Sequence, residues 1–220
     1  MAASPIKAIA LFGSPGSGKG TQAKLLSNCL KIPHISTGDM LRERTQTGNA
    51  IGTAVVATIH AGSLVADEVV NQMVEERLAE PDCAAGFILD GHPRTMQQAV
   101  FLIEWFDRRS IHEVVIHLVV DYNIIISRLT GRRQCPRCGT LYNIGSHPPK
   151  VAGVCDLDGE TLVIRDDDRE SVIRERLETY ERQTRPLLDF FREQGRRLVE
   201  VNAGVDSPES VSQKICRLIK

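Results

Sequence analysis

Apolar positions along the chain fall into two patterns. Four short, nearly continuous runs stand out: "IKAIALF" (6–12), "GFILDG" (86–91), "EVVIHLVV" (113–120) and "RRLVEVN" (196–202). Runs this short and this apolar fit strands buried on both faces of a parallel sheet. Between them lie longer stretches with helical spacing: "TQAKLLSNCL", "DEVVNQMVEERLAE", "TMQQAVFLIEWFDRR" and "DYNIIISRLTGR". Strand and helix in alternation predict an α/β fold, a doubly wound parallel sheet. A weaker strand around His34 and Ile35 brings the expected number of strands to five.

Two segments break the alternation. Residues 36–65 hold two helical patches and no strand, which suggests a small helical insert. Residues 131–168 are rich in Gly, Pro, Cys and Asp, with short β-like pieces such as "TLVIR", and read as a separate miniature module. The main body is then 1–35, 66–130 and 169–220. A long helix is expected from about Asp168 to Glu193, with a kink at Pro186. The last helix begins at "SPES", where Ser207 caps and Pro208 takes the first turn.

Composition narrows the class. The chain has 220 residues, 42% hydrophobic and 25% charged, with a net charge of −1. That fits an ordinary globular protein and argues against a general nucleic-acid coat. No apolar run approaches the ~18 residues of a membrane span. Met1 to Lys7 lacks the charged start and apolar core of a secretory signal, so a cytoplasmic location is expected. Of six cysteines, Cys29, Cys83 and Cys216 are scattered singly, whereas Cys135, Cys138 and Cys155 crowd one short region. The asymmetry reads as a metal site in a reducing compartment.

"LFGSPGSGKGTQ" (11–22) supplies the first chemistry. Gly13, Gly16, Gly18 and Gly20 let backbone N–H groups converge on phosphate oxygens, and Lys19 adds positive charge. The following helix aims its N-terminus at the same anion. In the common phosphate-loop pattern a hydroxyl follows the lysine and holds Mg²⁺. Here Gly20 follows and Thr21 comes one residue late, so Thr21 or water must replace that ligand. "ILDGHPRT" puts Asp90 at the carboxyl end of a strand beside the phosphate crevice, where a carboxylate can hold Mg²⁺ through water.

"GSPGSGKGTQ", "ISTGDMLR", "LDGHPRT", "GRR", the four-ligand lid and "RDDDRESVIRERL" follow one another in an order that resembles the adenylate kinase family, of the long-lid, zinc-containing type. In that family a glycine after the lysine is normal. The resemblance covers nearly the whole chain. It implies a P-loop core, an AMP-binding insert at 36–65, a lid at 131–168, a monomer, and transfer of phosphate from MgATP to AMP. The partners implied are ATP, AMP and ADP, with no nucleic acid and no membrane.

By this resemblance Gly16, Ser17, Gly18, Lys19, Gly20, Thr21 and Arg132 bind ATP phosphates. Arg128, Leu141 and Tyr142 flank its adenine, and backbone near Val205 touches the base. Thr37 and Arg42 hold AMP, with Ser63, Leu64 and Val65 along its ribose and base. Gly91, His92, Pro93 and Arg94 complete that site, Arg94 on the phosphate, while Gln98 reads adenine. Arg165 and Arg176 bridge the two phosphate chains; Asp167 and Asp168 organise the lid hinge or pair with arginines. The acceptor is an ionised phosphate oxygen, so no general base is needed. Catalysis then falls to charge and positioning by Lys19, Arg94, Arg132, Arg165 and Arg176, with Asp90 for the metal. The sequence departs from the family at His92, where Phe is usual, and at Ser63 and Ala66, where Lys and Pro are common.

Cys135, Cys138, Cys155 and Asp158 have the spacing C-x2-C-x16-C-x2-D, a zinc-ribbon pattern. Four protein ligands leave no open position, which favours structural Zn²⁺. Asp156 is the competitor for the fourth place, although the knuckle spacing favours Asp158. Two rival readings are a kinase for another nucleoside monophosphate and an ATP-regulated zinc-ribbon protein that binds nucleic acid. The second would want basic and aromatic residues over the ribbon, and the lid offers Tyr142 alone.

Overall fold

The computed structural model describes residues 7–45, 58, 61 and 63–219. Its centre is a five-stranded, all-parallel sheet built from β1 (Ala8–Phe12), β2 (His34–Ser36), β3 (Phe87–Asp90), β4 (Glu113–Val119) and β7 (Leu198–Asn202). The order is β2-β3-β1-β4-β7: from β1 the chain goes out to the edge at β2, returns to β3, then crosses to β4 and β7 on the other side. Ligand crevices in such sheets open at the carboxyl ends of the strands where the winding reverses. Here that is the end of β1, beside Asp90 at the end of β3.

Alternate residues of β1 explain why its run is apolar throughout. Ile9 and Leu11 pack with Ala23 and Leu26 of α1 (Lys19–Leu30) and with Val211 and Ile215 of α8 (Pro208–Leu218). Ala8 faces the other layer, with Val70 and Met73 of α3 (Asp67–Leu78) and Leu102 and Trp105 of α4 (Met96–Arg108). Ala10 and Phe12 meet Leu187 and Phe191 of α7 (Leu187–Glu193) on that same side. A strand covered on both faces has no position left for a polar side chain.

Two further helices carry the excursions. Of the insert expected at 36–65, the first helical patch is α2 (Thr37–Thr45), which follows β2 directly. The second patch lies outside the described residues except at 58, 61 and 63–65. α5 (Tyr122–Gly131) leads into a small module whose two-stranded sheet pairs β5 (Arg132–Gln134) with β6 (Leu141–Asn143). "TLVIR" is no strand: Thr161 and Val163 make only isolated bridges, to Val154 and Gln134.

The long helix after the lid differs from expectation in an instructive way. α6 (Glu170–Thr179) passes into a π-helical turn (Tyr180–Thr184) before α7 begins beyond Pro186. Proline has no N–H for the carbonyl four residues back, and its ring crowds that carbonyl. The wider turn absorbs this, with the Arg185 N–H donating to Tyr180 O at 2.9 Å. The irregularity sits one turn ahead of Pro186. The last helix begins as expected, with the Ser210 N–H donating to Ser207 Oγ.

Candidate active site and lid metal centre

The glycine-rich loop runs from β1 into α1 with Gly13, Gly16 and Gly18 all at positive φ. A Cβ on Gly16 would stand 2.9 Å from the Leu129 side chain, and one on Gly13 2.9 Å from Leu118 O. Lys19 Nζ curls back into this loop, donating to Gly13 O at 2.7 Å and Ser14 O at 3.0 Å. Gly20 has its own reason to lack a side chain. A Cβ there would lie 3.3 Å from Asp90 Oδ2. The residue after the lysine therefore faces the carboxylate at the end of β3. Thr21, one position on, is exposed on the first turn of α1.

Asp90 stays ionised although it is largely buried. Burial raises its pKa, but the His34 ring and the Lys19 and Arg94 charges outweigh that and leave it below the usual carboxylate range. His34 Nε2 stands 3.4 Å from Asp90 Oδ2, placed there because β2 lies beside β3. Lys19 moves the other way. Burial, joined by Arg94, Arg176 and Arg132 and opposed by Asp90, lowers it to about 7.

Beyond Asp90 the chain turns through Gly91, whose φ is +83°. A Cβ at Gly91 would meet Arg94 Nη2 at 2.7 Å and Thr37 Oγ1 at 2.9 Å. Those side chains close over the turn: Arg94 Nε donates to Gly91 O at 2.8 Å, and Thr37 Oγ1 to the same oxygen at 2.8 Å. The peptide between His92 and Pro93 is cis. His92 is buried, with Nε2 3.1 Å from Asn71 Oδ1 on α3. Burial and Arg94 lower its pKa to about 3, so it is neutral wherever the protein works.

Gln98 is buried and engaged at both ends of its amide. Its Oε1 accepts from the Arg94 N–H at 2.8 Å, and its Nε2 donates to Asp67 Oδ1 at 2.7 Å. Asp67 also accepts from Thr95 Oγ1 at 2.8 Å. One N–H and one lone pair of Gln98 are left for a base. Leu64 and Val65 are partly buried and Ser63 is exposed.

The lid and α6 bring further arginines to the cleft. Asp168, its carboxylate wholly buried, pairs with both Arg132 (Nε to Oδ2, 2.6 Å) and Arg176 (Nη1 to Oδ1, 3.2 Å). Arg176 Nη1 also lies 3.0 Å from Asp167 Oδ2. Arg165 donates to Gln134 Oε1 at 2.5 Å and stands 3.9 Å from Asp39 of α2, across the cleft. Asp39 in turn accepts from Arg42 Nη2 at 2.5 Å. Arg94 and Arg165 are each lowered to about 10, by burial first and then by other guanidinium groups. Among the described residues, Lys19 and Arg42, Arg94, Arg132, Arg165 and Arg176 thus form one field, countered by Asp39, Asp90, Asp167 and Asp168. Asp167 and Asp168 pair with arginines, the plainer of their two expected roles.

Two of the residues expected near the ATP base have structural partners. Arg128 Nη2 donates to Ala203 O at 2.8 Å, clamping the loop after β7 next to the phosphate loop. Val205 is 88% exposed on that loop. The side chain of Tyr142 belongs to the lid's own core. It is buried with Cys135, Cys155 and Leu162, and its hydroxyl accepts from the Asp156 N–H at 2.8 Å. Only its backbone remains for a nucleotide, beside the half-buried Leu141.

The four ligating atoms of Cys135, Cys138, Cys155 and Asp158 lie within 4.8 Å of one another. Cys138 Sγ and Cys155 Sγ are 3.6 Å apart, and Cys135 Sγ is 3.3 Å from Asp158 Oδ2. Tetrahedral Zn²⁺ with Zn–S near 2.3 Å puts neighbouring ligand atoms ~3.5–3.8 Å apart, so the residues fit that ion. The two knuckles repeat each other. Gly139 N donates to Cys135 O and Gly159 N to Cys155 O, both at 3.0 Å. Both glycines sit near φ +70°, at +69° and +72°. Asp156 points elsewhere, accepting from the Lys150 N–H at 2.8 Å.

The adenylate kinase family model matches residues 11–196. The chain belongs to the adenylate kinase family. It is 47% identical over 203 residues to the adenylate kinase of Anaeromyxobacter dehalogenans (strain 2CP-1), covering 91% of this chain and 94% of that one. It is 46% identical over 214 residues to the adenylate kinase of Pseudothermotoga lettingae, covering 96% and 97%. It is 41% identical over 216 residues to that of Clostridium perfringens (strain 13), covering 98% of each. As an adenylate kinase family member it is a phosphotransferase acting between ATP and AMP, with Mg²⁺ accompanying ATP. Among the described residues, no helix is long and apolar enough to cross a membrane.

Sequence reasoning missed several supports of this adenylate kinase site. Asp39 had a readable signal, an acidic residue three positions before Arg42 on a helix. His34, Asn71 and Asp67 had none, because they reach Asp90, His92 and Gln98 only through strand pairing and helix packing.

Proposed function

We propose that the chain catalyses ATP + AMP ⇌ 2 ADP by direct in-line transfer, with no general base and no covalent intermediate. The observation that carries this reading is the single field of Lys19 and five arginines between the glycine-rich loop and the Gly91 turn. Two separate phosphate chains and a migrating phosphoryl group need such a field, because their negative charge is spread over many oxygens. Guanidinium forks suit it better than ammonium groups, since each binds two oxygens at once.

In this reading Gly16, Ser17, Gly18, Lys19, Gly20 and Thr21 cradle the ATP phosphates, with Arg132 reaching in from the lid. Arg128, Leu141, backbone at Tyr142 and the loop at Val205 border its base. Arg94 and Arg42 hold the AMP phosphate. Thr37, Leu64 and Val65, the Gly91–Pro93 turn and the free edge of Gln98 define the AMP pocket, with Ser63 at its rim. Arg165 and Arg176 span the phosphates between the nucleotides. Asp90 is the residue to hold Mg²⁺ through water; Gly20 leaves room beside it. When bound, Mg²⁺ neutralises phosphate charge and fixes the terminal phosphates.

The segments 36–65 and 131–168 act as moving covers on the core formed by 1–35, 66–130 and 169–220. Lids of adenylate kinases are themselves a standing example of closure that keeps water from a transferable phosphoryl group. Zn²⁺ held by Cys135, Cys138, Cys155 and Asp158 gives the lid stability and takes no part in transfer, which makes the chain one of the long-lid, zinc-containing type. The working unit is a monomer in a reducing cytoplasm, with no nucleic-acid or membrane partner. A coupled assay of ADP formation with AMP, GMP, CMP and UMP as acceptors tests the assignment. A preference for AMP of tenfold or less over all three others would overturn it.

A further inference from the structure

The thiols of Cys29 and Cys216 lie together on the side of the core that the nucleotides do not use. Cys29 is the second-last residue of α1, at the end opposite Lys19, and Cys216 is in the last turn of α8. Their Sγ atoms are 3.8 Å apart although 187 positions separate them in sequence. Cys29 is exposed and Cys216 partly so. The two helices are held in register by packing around Ala23, Leu26, Val211 and Ile215, so the thiols meet because the core places them there. Leu25, Glu209, Ser212 and Arg217 line the shallow groove around them, which is open to a small reagent.

We propose that Cys29 and Cys216 form a reversible disulfide when the protein meets a peroxide, a modification site separate from the active site and from the lid metal centre. The more exposed Cys29 thiolate attacks one peroxide oxygen. The O–O bond breaks, hydroxide leaves and takes up a proton, and Cys29 becomes a sulfenic acid. The Cys216 thiolate then attacks that sulfur and expels a second hydroxide, which is protonated to water. In sum, two thiols and hydrogen peroxide give one disulfide and two waters; both sulfurs are oxidised and peroxide is reduced. Closing 3.8 Å to an S–S bond of ~2.05 Å needs a shift of side-chain torsions, which two residues near helix ends can make.

The bond would tie the first helix to the last. Most of the chain would lie inside the closed loop, so cross-linking restricts the unfolded ensemble strongly. The cleft is untouched, because Cys29 sits at the far end of α1 from the phosphate loop. In the metal-loaded protein of the proposed function the lid thiols are ligands and so less reactive, and Cys83 is buried. The dithiol should therefore react first.

The test is peroxide titration of the metal-loaded, full-length protein, followed by intact mass, non-reducing peptide mapping, zinc content, melting temperature and turnover. The expected result is loss of two hydrogens, a peptide pair linking Cys29 to Cys216 and full retention of zinc. The melting temperature should rise by roughly 5 °C or more, with turnover within about twofold, all reversed by dithiothreitol. Cys29→Ser and Cys216→Ser should each keep the reduced protein's turnover and lose both the link and the rise. Zinc release before any such link, or oxidation of Cys29 to sulfinic or sulfonic acid without a bond to Cys216, would overturn the proposal.

Discussion

Gly91 shows how a single missing side chain sets the acceptor site. Its φ of +83° and the 2.7 Å from a would-be Cβ to Arg94 Nη2 leave no room for alanine. Gly91→Ala should push Arg94 off its perch and lower kcat/KM for AMP by about 100-fold, with KM for ATP far less affected. Steady-state kinetics with each nucleotide varied in turn will check this. Lys19 makes a different prediction. In the nucleotide-free cleft its pKa is about 7, so much of it is neutral at about pH 8. A triphosphate brings negative charge and raises that pKa, so binding above neutrality draws in a proton. Calorimetry in buffers of different ionisation enthalpy should show proton uptake at about pH 8 that fades towards about pH 6. Lys19→Met should abolish the uptake and cost at least about 100-fold in turnover. Equal proton uptake by wild type and variant would refute the assignment. His92, held near 3, contributes no titration: His92→Gln should leave the pH profile of KM for AMP unchanged between about 5 and 9. At this scale glycines, lysine and arginines were legible because their motifs carry both residue type and spacing. The burial of the Tyr142 side chain was not legible, because a tyrosine in a small lid looks available, whereas that lid needs it to fill its own core.

The lid illustrates what an element can and cannot reveal from its sequence. Its β-like piece "TLVIR" supplies two isolated bridges in place of a continuous strand. Its ligand set was legible, because metal knuckles impose fixed two-residue gaps that no hydrophobic pattern must support. A segment whose buried cluster is Cys135, Tyr142, Cys155 and Leu162 has little apolar surface to hold it. In the proposed reading, metal coordination supplies the rest. Cys135→Ala should lose the zinc and lower the melting temperature more than it lowers activity at moderate temperature. Asp158→Cys should retain the metal, since thiolate replaces carboxylate in the same shell. Asp156→Ala should also retain it, losing only the turn contact to Lys150. Metal analysis of the three purified variants, beside their melting curves, decides the set; zinc lost in Asp156→Ala alone would reverse the ligand assignment. The π-helical turn at Tyr180–Thr184 was out of reach for a similar reason. Sequence shows that Pro186 cannot continue a regular helix, but not which turn will widen to accommodate it.

At the scale of the molecule, the proposed closure draws on the crowding of the cation field. Asp167 and Asp168 tie down Arg132 and Arg176, and Asp39 serves Arg42 while facing Arg165, yet Arg94 and Arg165 are still lowered, by burial first and then by other guanidinium groups. Nucleotide phosphates relieve that crowding, and the relief is greatest when lid, insert and core all contribute arginines at once. The Arg165–Asp39 approach of 3.9 Å marks where lid base and insert meet. A bisubstrate mimic carrying both adenosines should therefore reduce the radius of gyration in solution scattering and raise the melting temperature more than ATP and AMP analogues do singly. Asp168 is the pivot of this balance, with its wholly buried carboxylate between Arg132 at the lid's first strand and Arg176 on α6. Asp168→Asn keeps the shape and removes the charge, leaving two guanidinium groups under-compensated in the empty cleft. The free variant should melt several degrees lower than wild type, while the mimic, which supplies the missing charge, should narrow that gap. Its kcat should fall by at least about tenfold, because Arg132 and Arg176 no longer share one anchor as the lid moves. Identical scattering with and without the mimic would remove lid closure. A stability gap in Asp168→Asn that stayed the same on binding would show that the carboxylate does not balance this field.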